Sequence, residues 1–264
     1  MPMLHSARRR ALRFMIAAAA VAALSPFAAL PARAAEALVA VAANFAETMD
    51  DLKPAFERTT GHTLQVTTGS TGKLYAQIVK GAPFQILLSA DAKTPMRLEE
   101  EKAAVAGTRF TYAIGRLTLW SGDPARIGAD GAAALTADDV RHIAIANPDL
   151  APYGAAARET LKNLGLWDRL SPKIVMGENI GQTYSMVATG NAQLGFVALS
   201  AILSPRATVK GSHWNVPQDL FAPIRQDAIL LNPGRDNEAA IAFLAFLKTA
   251  QARAVIGKYG YGTE

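Results

Sequence analysis

Apolar positions along this chain switch repeatedly between a short continuous period and a helical one, and the switching reads as strand, helix, strand, helix for most of its length. Residues 37–42 are a short apolar run carrying Leu38, Val39 and Val41, the pattern of a strand covered on both faces. Asn44 follows in the place of a helix cap. Phe45, Met49, Leu52 and Phe56 then recur at helical spacing up to a stop at Gly61. A second strand is expected over residues 64–68, a turn at Gly69-Ser70-Thr71-Gly72, a helix over 74–80 closed by Gly81, a third strand over 86–89 and a helix over 95–104. Beyond these the pattern predicts one longer strand over 111–120, a short helix over 136–140 capped by Thr136, and a strand over 143–146. It continues with a helix over 153–164, a strand over 174–176, a helix over 180–189, a strand over 194–198, a long apolar strand over 224–231 and one terminal helix over 237–257.

Alternating strands and helices predict parallel sheets with helices on both faces. The longer strands near 111–120 and 224–231 are placed to run between two bodies. The expected fold class is therefore α/β: two doubly wound α/β lobes joined by two crossing segments, with lobe 1 formed by residues 36–115 and 228–264 and lobe 2 by residues 116–227.

The first 35 residues stand outside this pattern. Arg8, Arg9, Arg10 and Arg13 precede an apolar run over 14–24, and Ala32-Arg33-Ala34-Ala35 follows as a small-residue cleavage site. That order is the signature of a secretory signal peptide, and the run is shorter than the ~20 residues that span a bilayer. The leader also changes the charge. The chain holds 27 Lys and Arg against 22 Asp and Glu, but residues 1–34 carry Arg8, Arg9, Arg10, Arg13 and Arg33 and no acidic residue. What remains is close to neutral with mixed signs, so the sequence pI of 9.5 does not indicate nucleic acid or an acidic membrane as partner. There is no cysteine, which excludes disulfides and Cys-based metal, haem or redox chemistry. Four His, one of them in the leader, leave little for a His-rich metal site. No cofactor is expected.

In open α/β sheets, small ligands bind beyond the carboxyl ends of strands, where helix N-termini present unpaired N–H groups and a dipole that favours anions. Four strand-to-helix junctions qualify: residues 43–45, 69–72, 152–154 and 179–181. They are rich in small, polar or Gly residues, and the only cation near them is Lys73, just after the Gly turn. Neutral hydroxyl, amide and backbone donors suit a fully ionised dianion such as molybdate, tungstate or sulfate. They disfavour hydrogen phosphate, whose proton would meet a donor.

Plainer readings stand beside each. Asn44 is placed to cap a helix, residues 69–72 to make a turn, and Tyr153 to pack at a helix start, while Ile180 has only its backbone N–H to offer. The 67–74 stretch falls short of a phosphate loop, with Thr67 where the leading Gly belongs and Leu74 where Ser or Thr holds magnesium. Enzyme motifs are missing: there is no G-x-S-x-G and no H-E-x-x-H, and His62, His142 and His213 have no carboxylate or nucleophile at a motif spacing. Glu99-Glu100-Glu101 reads as a solvated helix face, and Trp120, Trp167 and Trp214 as core.

The junction stretches, taken in order, resemble the periplasmic molybdate-binding proteins of ABC importers, within the type II periplasmic binding-protein fold. The carrying strings are Val41-Ala42-Ala43-Asn44-Phe45, Gly69-Ser70-Thr71-Gly72-Lys73-Leu74-Tyr75, Gly81-Ala82-Pro83-Phe84 and Leu88-Ser89-Ala90-Asp91. They continue with Ala146-Asn147-Pro148, Ala151-Pro152-Tyr153-Gly154, Glu178-Asn179-Ile180, Leu194-Gly195-Phe196-Val197 and Tyr259-Gly260-Tyr261. The resemblance implies an oxyanion held by Asn44 through its amide, by Ser70 and Thr71 through hydroxyl and N–H, by Tyr153 and Ile180 through backbone N–H, and by the backbone of Ala43. Some relatives have Ser in place of Asn44, and some a Tyr where this chain has Ala198. It further implies a binding protein rather than an enzyme, with molybdate or tungstate held as the intact oxyanion and no metal bound directly. The partner is the membrane permease of an ABC transporter, with no nucleic acid involved, and the receptor is a monomer in the periplasm. Three other readings remain beside it: a receptor for sulfate, thiosulfate or another oxyanion, an exported α/β hydrolase or transferase, and a structural or interaction protein of the envelope.

Overall fold

The apolar run after the leader becomes β1 (Glu36–Ala42), an inner strand with β2 (Thr63–Gly69) parallel on one side and β3 (Ile86–Leu88) parallel on the other. The computed structural model describes residues 34–263. Most of the expected signal peptide therefore lies outside the described residues. Val39, Ala40 and Val41 are fully buried because helices cover both faces of this sheet. On one face Val39 and Val41 pack with Phe45, Met49, Leu52 and Phe56, the helical stripe read from the sequence, which falls on α1 (Ala46–Thr60) and the short turn before it. On the other face Ala40 packs with Leu74 and Ile78 of α2 (Thr71–Val79) and Leu98 of α3 (Lys93–Glu100).

Two more strands complete this first sheet, β4 (Phe110–Gly115) and β10 (Ile224–Leu230), in the order β2-β1-β3-β10-β4. The second sheet has the order β7-β6-β8-β5-β9, made of β5 (Leu117–Ser121), β6 (Ile143–Ala146), β7 (Ile174–Gly177), β8 (Leu194–Ala198) and β9 (Ser212–Asn215). Its core gathers Leu119, Ile143, Ile145, Phe196 and the helix residues Ala157 and Leu161.

The sequence pattern predicts parallel sheets; each sheet instead carries one reversed strand. β10 runs antiparallel to β3 and β4, and β5 antiparallel to β8 and β9. The reversed strands are the two that arrive from the other lobe. β4 runs towards the cleft, the chain crosses at Arg116, and β5 then starts at the cleft and must run away from it. β10 repeats this on the return. The expected single strand over 111–120 is thus two strands in two sheets.

Local chemistry overrides the sequence reading at two other places. The expected helix over 136–140 is instead α4 (Gly131–Leu135), because the Asp130 carboxylate caps it by accepting from the Ala132 and Ala133 N–H groups at 3.0 and 3.3 Å. Thr136 sits at its far end, its hydroxyl turned back to the Ala133 carbonyl. The terminal helix is two, α9 (Glu238–Leu247) and α10 (Ala250–Lys258), bent by 65°. The Thr249 hydroxyl restarts the helix by accepting from the Ala252 N–H at 3.2 Å. The remaining helices are α5 (Pro152–Asn163), α6 (Trp167–Leu170), α7 (Ile180–Ala188) and α8 (Leu199–Leu203).

Candidate functional site

Four strands end at the cleft and pass into helices there. β1 ends at Ala42 and a single 3-10 turn, Ala43–Phe45, leads into α1. β2 ends at Gly69, with Ser70 at the N-cap of α2. β6 ends at Ala146 and a short loop leads to α5, while β7 ends at Gly177 and Asn179 caps α7. The four ends meet. Ala43, Asn44, Ser70, Thr71, Tyr153 and Ile180, the site residues read from the sequence, all line one small cavity between the lobes.

Capping decides which backbone donors remain for this cavity. The first N–H groups of a helix have no intrahelical acceptor. In α2 the Gly72 N–H is taken by the Leu150 carbonyl of the other lobe at 2.9 Å, which leaves that of Thr71 on the cavity lining. In α5 Pro152 has no N–H, so Tyr153 supplies the first donor. In α7 the Asn179 side chain accepts from the Gln182 N–H at 3.0 Å, leaving Ile180 and Gly181 ahead of it. The helix dipoles add positive potential at the same point, and no Lys or Arg lines the cavity.

The side chains extend the donor set. The Thr71 hydroxyl accepts from the Ala90 N–H at 3.1 Å, so its own proton is free. Ser70 is 3% exposed, and its Oγ has no hydrogen-bond partner among the described residues. It stands at an N-cap yet makes no capping bond. A buried hydroxyl without a partner is costly, and its place beside three helix N-termini suits an anionic acceptor.

Asn44 does not cap its helix, the plainer reading of its position. Its Nδ2 lies 2.8 Å from Gln226 Oε1 and 3.1 Å from the Tyr261 hydroxyl, and its Oδ1 is buried without a partner. Tyr153 sends its ring away from the cavity, and its hydroxyl lies 3.1 Å from Gln226 Nε2. Gly115 makes room for this meeting: a Cβ there would stand 2.2 Å from the Tyr153 hydroxyl and 2.6 Å from Gln226 Nε2. Tyr112 joins the cluster through Gln226 Oε1 at 3.1 Å and the Ser89 carbonyl at 3.0 Å. Burial pushes the phenols of Tyr112 and Tyr153 well above their usual range and that of Tyr261 up to about 12, so all three are protonated at neutral pH. The sequence alone gives Gln226, Tyr112 and Tyr261 no role, although Tyr261 lies in the string Tyr259-Gly260-Tyr261 that carries the resemblance. The one available signal was Gln226-Asp227, a polar pair inside an apolar strand, which must find partners when buried.

Comparison with known proteins bears on this arrangement. The model of the bacterial extracellular solute-binding protein family matches residues 37–262. The chain belongs to that family. This solute-binding protein is 51% identical over 236 residues to the molybdate-binding protein of Rhodobacter capsulatus, covering 89% of this chain and 92% of that one. It is 50% identical over 233 residues to the molybdate-binding protein of Azotobacter vinelandii, covering 88% and 92%. Among solved structures, the periplasmic molybdate-binding protein of Azotobacter vinelandii superposes with a TM-score of 0.83 at 41% identity, covering 86% of this chain and 99% of that one. The sulfate-binding protein SubI of Mycobacterium tuberculosis, at 13% identity and a TM-score of 0.71, shares the fold. The two mixed sheets with flanking helices are the periplasmic binding-protein fold.

The lobes of this solute-binding protein touch across the cleft. The Ser200 hydroxyl donates to the Asn44 carbonyl at 3.0 Å, and Lys73 pairs with Glu178 beside the cavity. Farther out, Arg206 reaches over to Asp51 at 2.5 Å and to the Tyr259 hydroxyl at 2.8 Å. No group of three or more His, Cys, Asp or Glu side chains able to hold a metal ion forms among the described residues.

Proposed function

We propose that this protein is an extracytoplasmic receptor that captures molybdate, and with it tungstate, in the interlobe cavity and delivers it to the membrane permease of an ABC importer. The observation that carries the reading is the cavity where four strand-to-helix junctions meet, lined by backbone N–H groups and hydroxyls and by no Lys or Arg. The half-identity to two molybdate-binding proteins over nearly the whole chain supports it.

The anion is a dianion without a proton. Backbone N–H groups of Thr71, Tyr153 and Ile180, the turn at Ala43 and Asn44, and the hydroxyls of Ser70 and Thr71 converge on its oxygens. Each donor is neutral, and their summed dipoles replace the anion's hydration shell without a countercharge. Hydrogen phosphate is rejected because its proton faces a donor and finds no acceptor. Sulfate is rejected by size, since fixed donors set for longer metal–oxygen bonds leave a smaller anion under-coordinated. The donors come from both lobes, so the anion is gripped only when the lobes close, by hinge bending at the two crossings.

Nothing in this cycle makes or breaks a covalent bond, so the protein acts without catalysis and without a cofactor. A single receptor needs no second copy, and it works as a monomer in the periplasm after removal of an N-terminal signal peptide. The test is isothermal titration of residues 36–264, stripped of ligand, with molybdate, tungstate, sulfate and phosphate. One-to-one binding of molybdate and tungstate with sulfate and phosphate silent is the expected result. Preference for sulfate would overturn the substrate while leaving the site; silence from all four would overturn the site.

A further inference from the structure

The atoms around Asn44 and Gln226 admit two arrangements of protons, because an amide turned by 180° exchanges its oxygen and nitrogen at nearly unchanged positions. In the first, Asn44 Nδ2 donates to Gln226 Oε1 at 2.8 Å and to the Tyr261 hydroxyl at 3.1 Å, and Gln226 Nε2 donates to the Tyr153 hydroxyl at 3.1 Å. This arrangement has two faults. The single Tyr112 proton is asked for by both the Ser89 carbonyl and Gln226 Oε1, while the Tyr153 proton meets no acceptor among the described residues. It also leaves Asn44 Oδ1, a buried acceptor without a partner, in a residue that lines the cavity.

Turning both amides removes these faults and leaves one shared proton, that of Tyr261. Gln226 Nε2 then donates to Asn44 Oδ1 and to the Tyr112 hydroxyl, Tyr112 donates to the Ser89 carbonyl, and Tyr153 donates to Gln226 Oε1. The Tyr261 proton lies between the Asn44 carbonyl at 2.7 Å and the Asn44 amide oxygen at 3.1 Å, and Ser200 donates to that carbonyl at 3.0 Å. The unpartnered Asn44 atom becomes an NH2 group, a buried donor in a residue that lines the cavity.

We propose that Gln226 is the positioning residue that fixes the Asn44 amide with its NH2 group towards the oxyanion. This rests on the molybdate reading of the cavity. Gln226 is fully buried, on β10 beside its one register shift, and so stands next to the chain crossing with a hydrogen bond to each lobe's site residue: Asn44 from one, Tyr153 from the other. It touches no ligand position. Its effect is to make Asn44 a donor only, which completes a cavity that excludes protonated anions.

The experiment uses protein labelled with 15N in the Gln side chains, observed by NMR without ligand and with molybdate. The Gln226 NH2 protons are expected to show nuclear Overhauser contacts to the Tyr112 ring. Contacts to the Tyr153 ring in their place would overturn the proposal. This measurement needs no variant, and its outcome without ligand stands even if molybdate does not bind, so failure of the functional reading is seen separately in the titration. In parallel, Gln226→Met, which keeps the volume and removes the lock, is expected to lower molybdate affinity about ten- to hundredfold, the range of one hydrogen bond to a charged group. A folded Gln226→Met protein that binds molybdate as tightly as the parent would also overturn it.

Discussion

Ser70→Ala should make the ligand-free protein more stable and the receptor worse. Ser70 Oγ is buried without a hydrogen-bond partner, and although Ser70 occupies the N-cap of α2 it makes no capping bond there. The usual cost of losing a Ser cap therefore does not arise. An unsatisfied buried polar group costs about 1–3 kcal/mol, so its removal is expected to raise unfolding stability by about 1 kcal/mol at the low end of that range. In a protein of this size that moves the melting point by about 2–4 °C. The opposite sign is expected on binding. A hydroxyl hydrogen bond to a charged acceptor contributes about 1.5–3 kcal/mol, and at about 1.4 kcal/mol per decade its loss weakens molybdate binding roughly 10- to 150-fold. Urea unfolding followed by circular dichroism on ligand-free protein, with calorimetric titration alongside, measures both quantities. A variant less stable than the parent, or one within twofold of its affinity, would refute the idea that this hydroxyl is held unpaired for the anion.

The neighbouring hydroxyl should behave differently. Thr71→Ala deprives the buried Ala90 N–H of its acceptor, so it is expected to lose about 1–3 kcal/mol of stability as well as affinity, checked by the same two assays. Gly115→Ala brings a Cβ within 2.2 Å of the Tyr153 hydroxyl and 2.6 Å of Gln226 Nε2; overpacking of this kind costs about 1–3 kcal/mol, and calorimetry should show a lower melting point together with at least tenfold weaker molybdate binding. Asp51 has its pKa lowered from the usual 3.8, first by the hydrogen bond from Arg206 and then by that from Tyr259. A depressed carboxylate stabilises the folded state above its unfolded pKa and loses that contribution as pH falls through the folded value. The stability difference between parent and Asp51→Asn, read from urea melts, should therefore be flat above about pH 5 and shrink below 3.8.

The element sequence was legible because its signals are local. The buried run at Val39 and Val41 and the stripe Phe45, Met49, Leu52, Phe56 each report a period that sterics impose within a few residues. The site was legible for a related reason: donors at helix N-termini are written in the short strings that join strand to helix, and Ser70-Thr71, Pro152-Tyr153 and Asn179-Ile180 are such strings. Strand direction was not legible. Residues 111–120 are continuously suited to a strand, and only the position of the crossing at Arg116 divides them between two sheets. The roles of Gln226 and Tyr261 were not legible because both find Asn44 from 182 and 217 positions away in the chain. The break at Thr249 was missed because Ala and Leu before it and Ala, Gln and Arg after it favour helix, and a single hydroxyl bonding Ala252 restarts the helix in a new direction.

The two crossings lie side by side. Gly115 pairs with Ile224 on one side of them, and the Val216 N–H donates to the Leu117 carbonyl at 3.1 Å on the other. Two adjacent straps between rigid bodies leave one easy rotation and resist the others, as the leaves of a door do. In the proposed cycle, occupancy of the cavity between the lobes would thereby be converted into a single angle on the outside of the molecule. A membrane partner that measured that angle would tell a loaded receptor from an empty one without ever touching the ion.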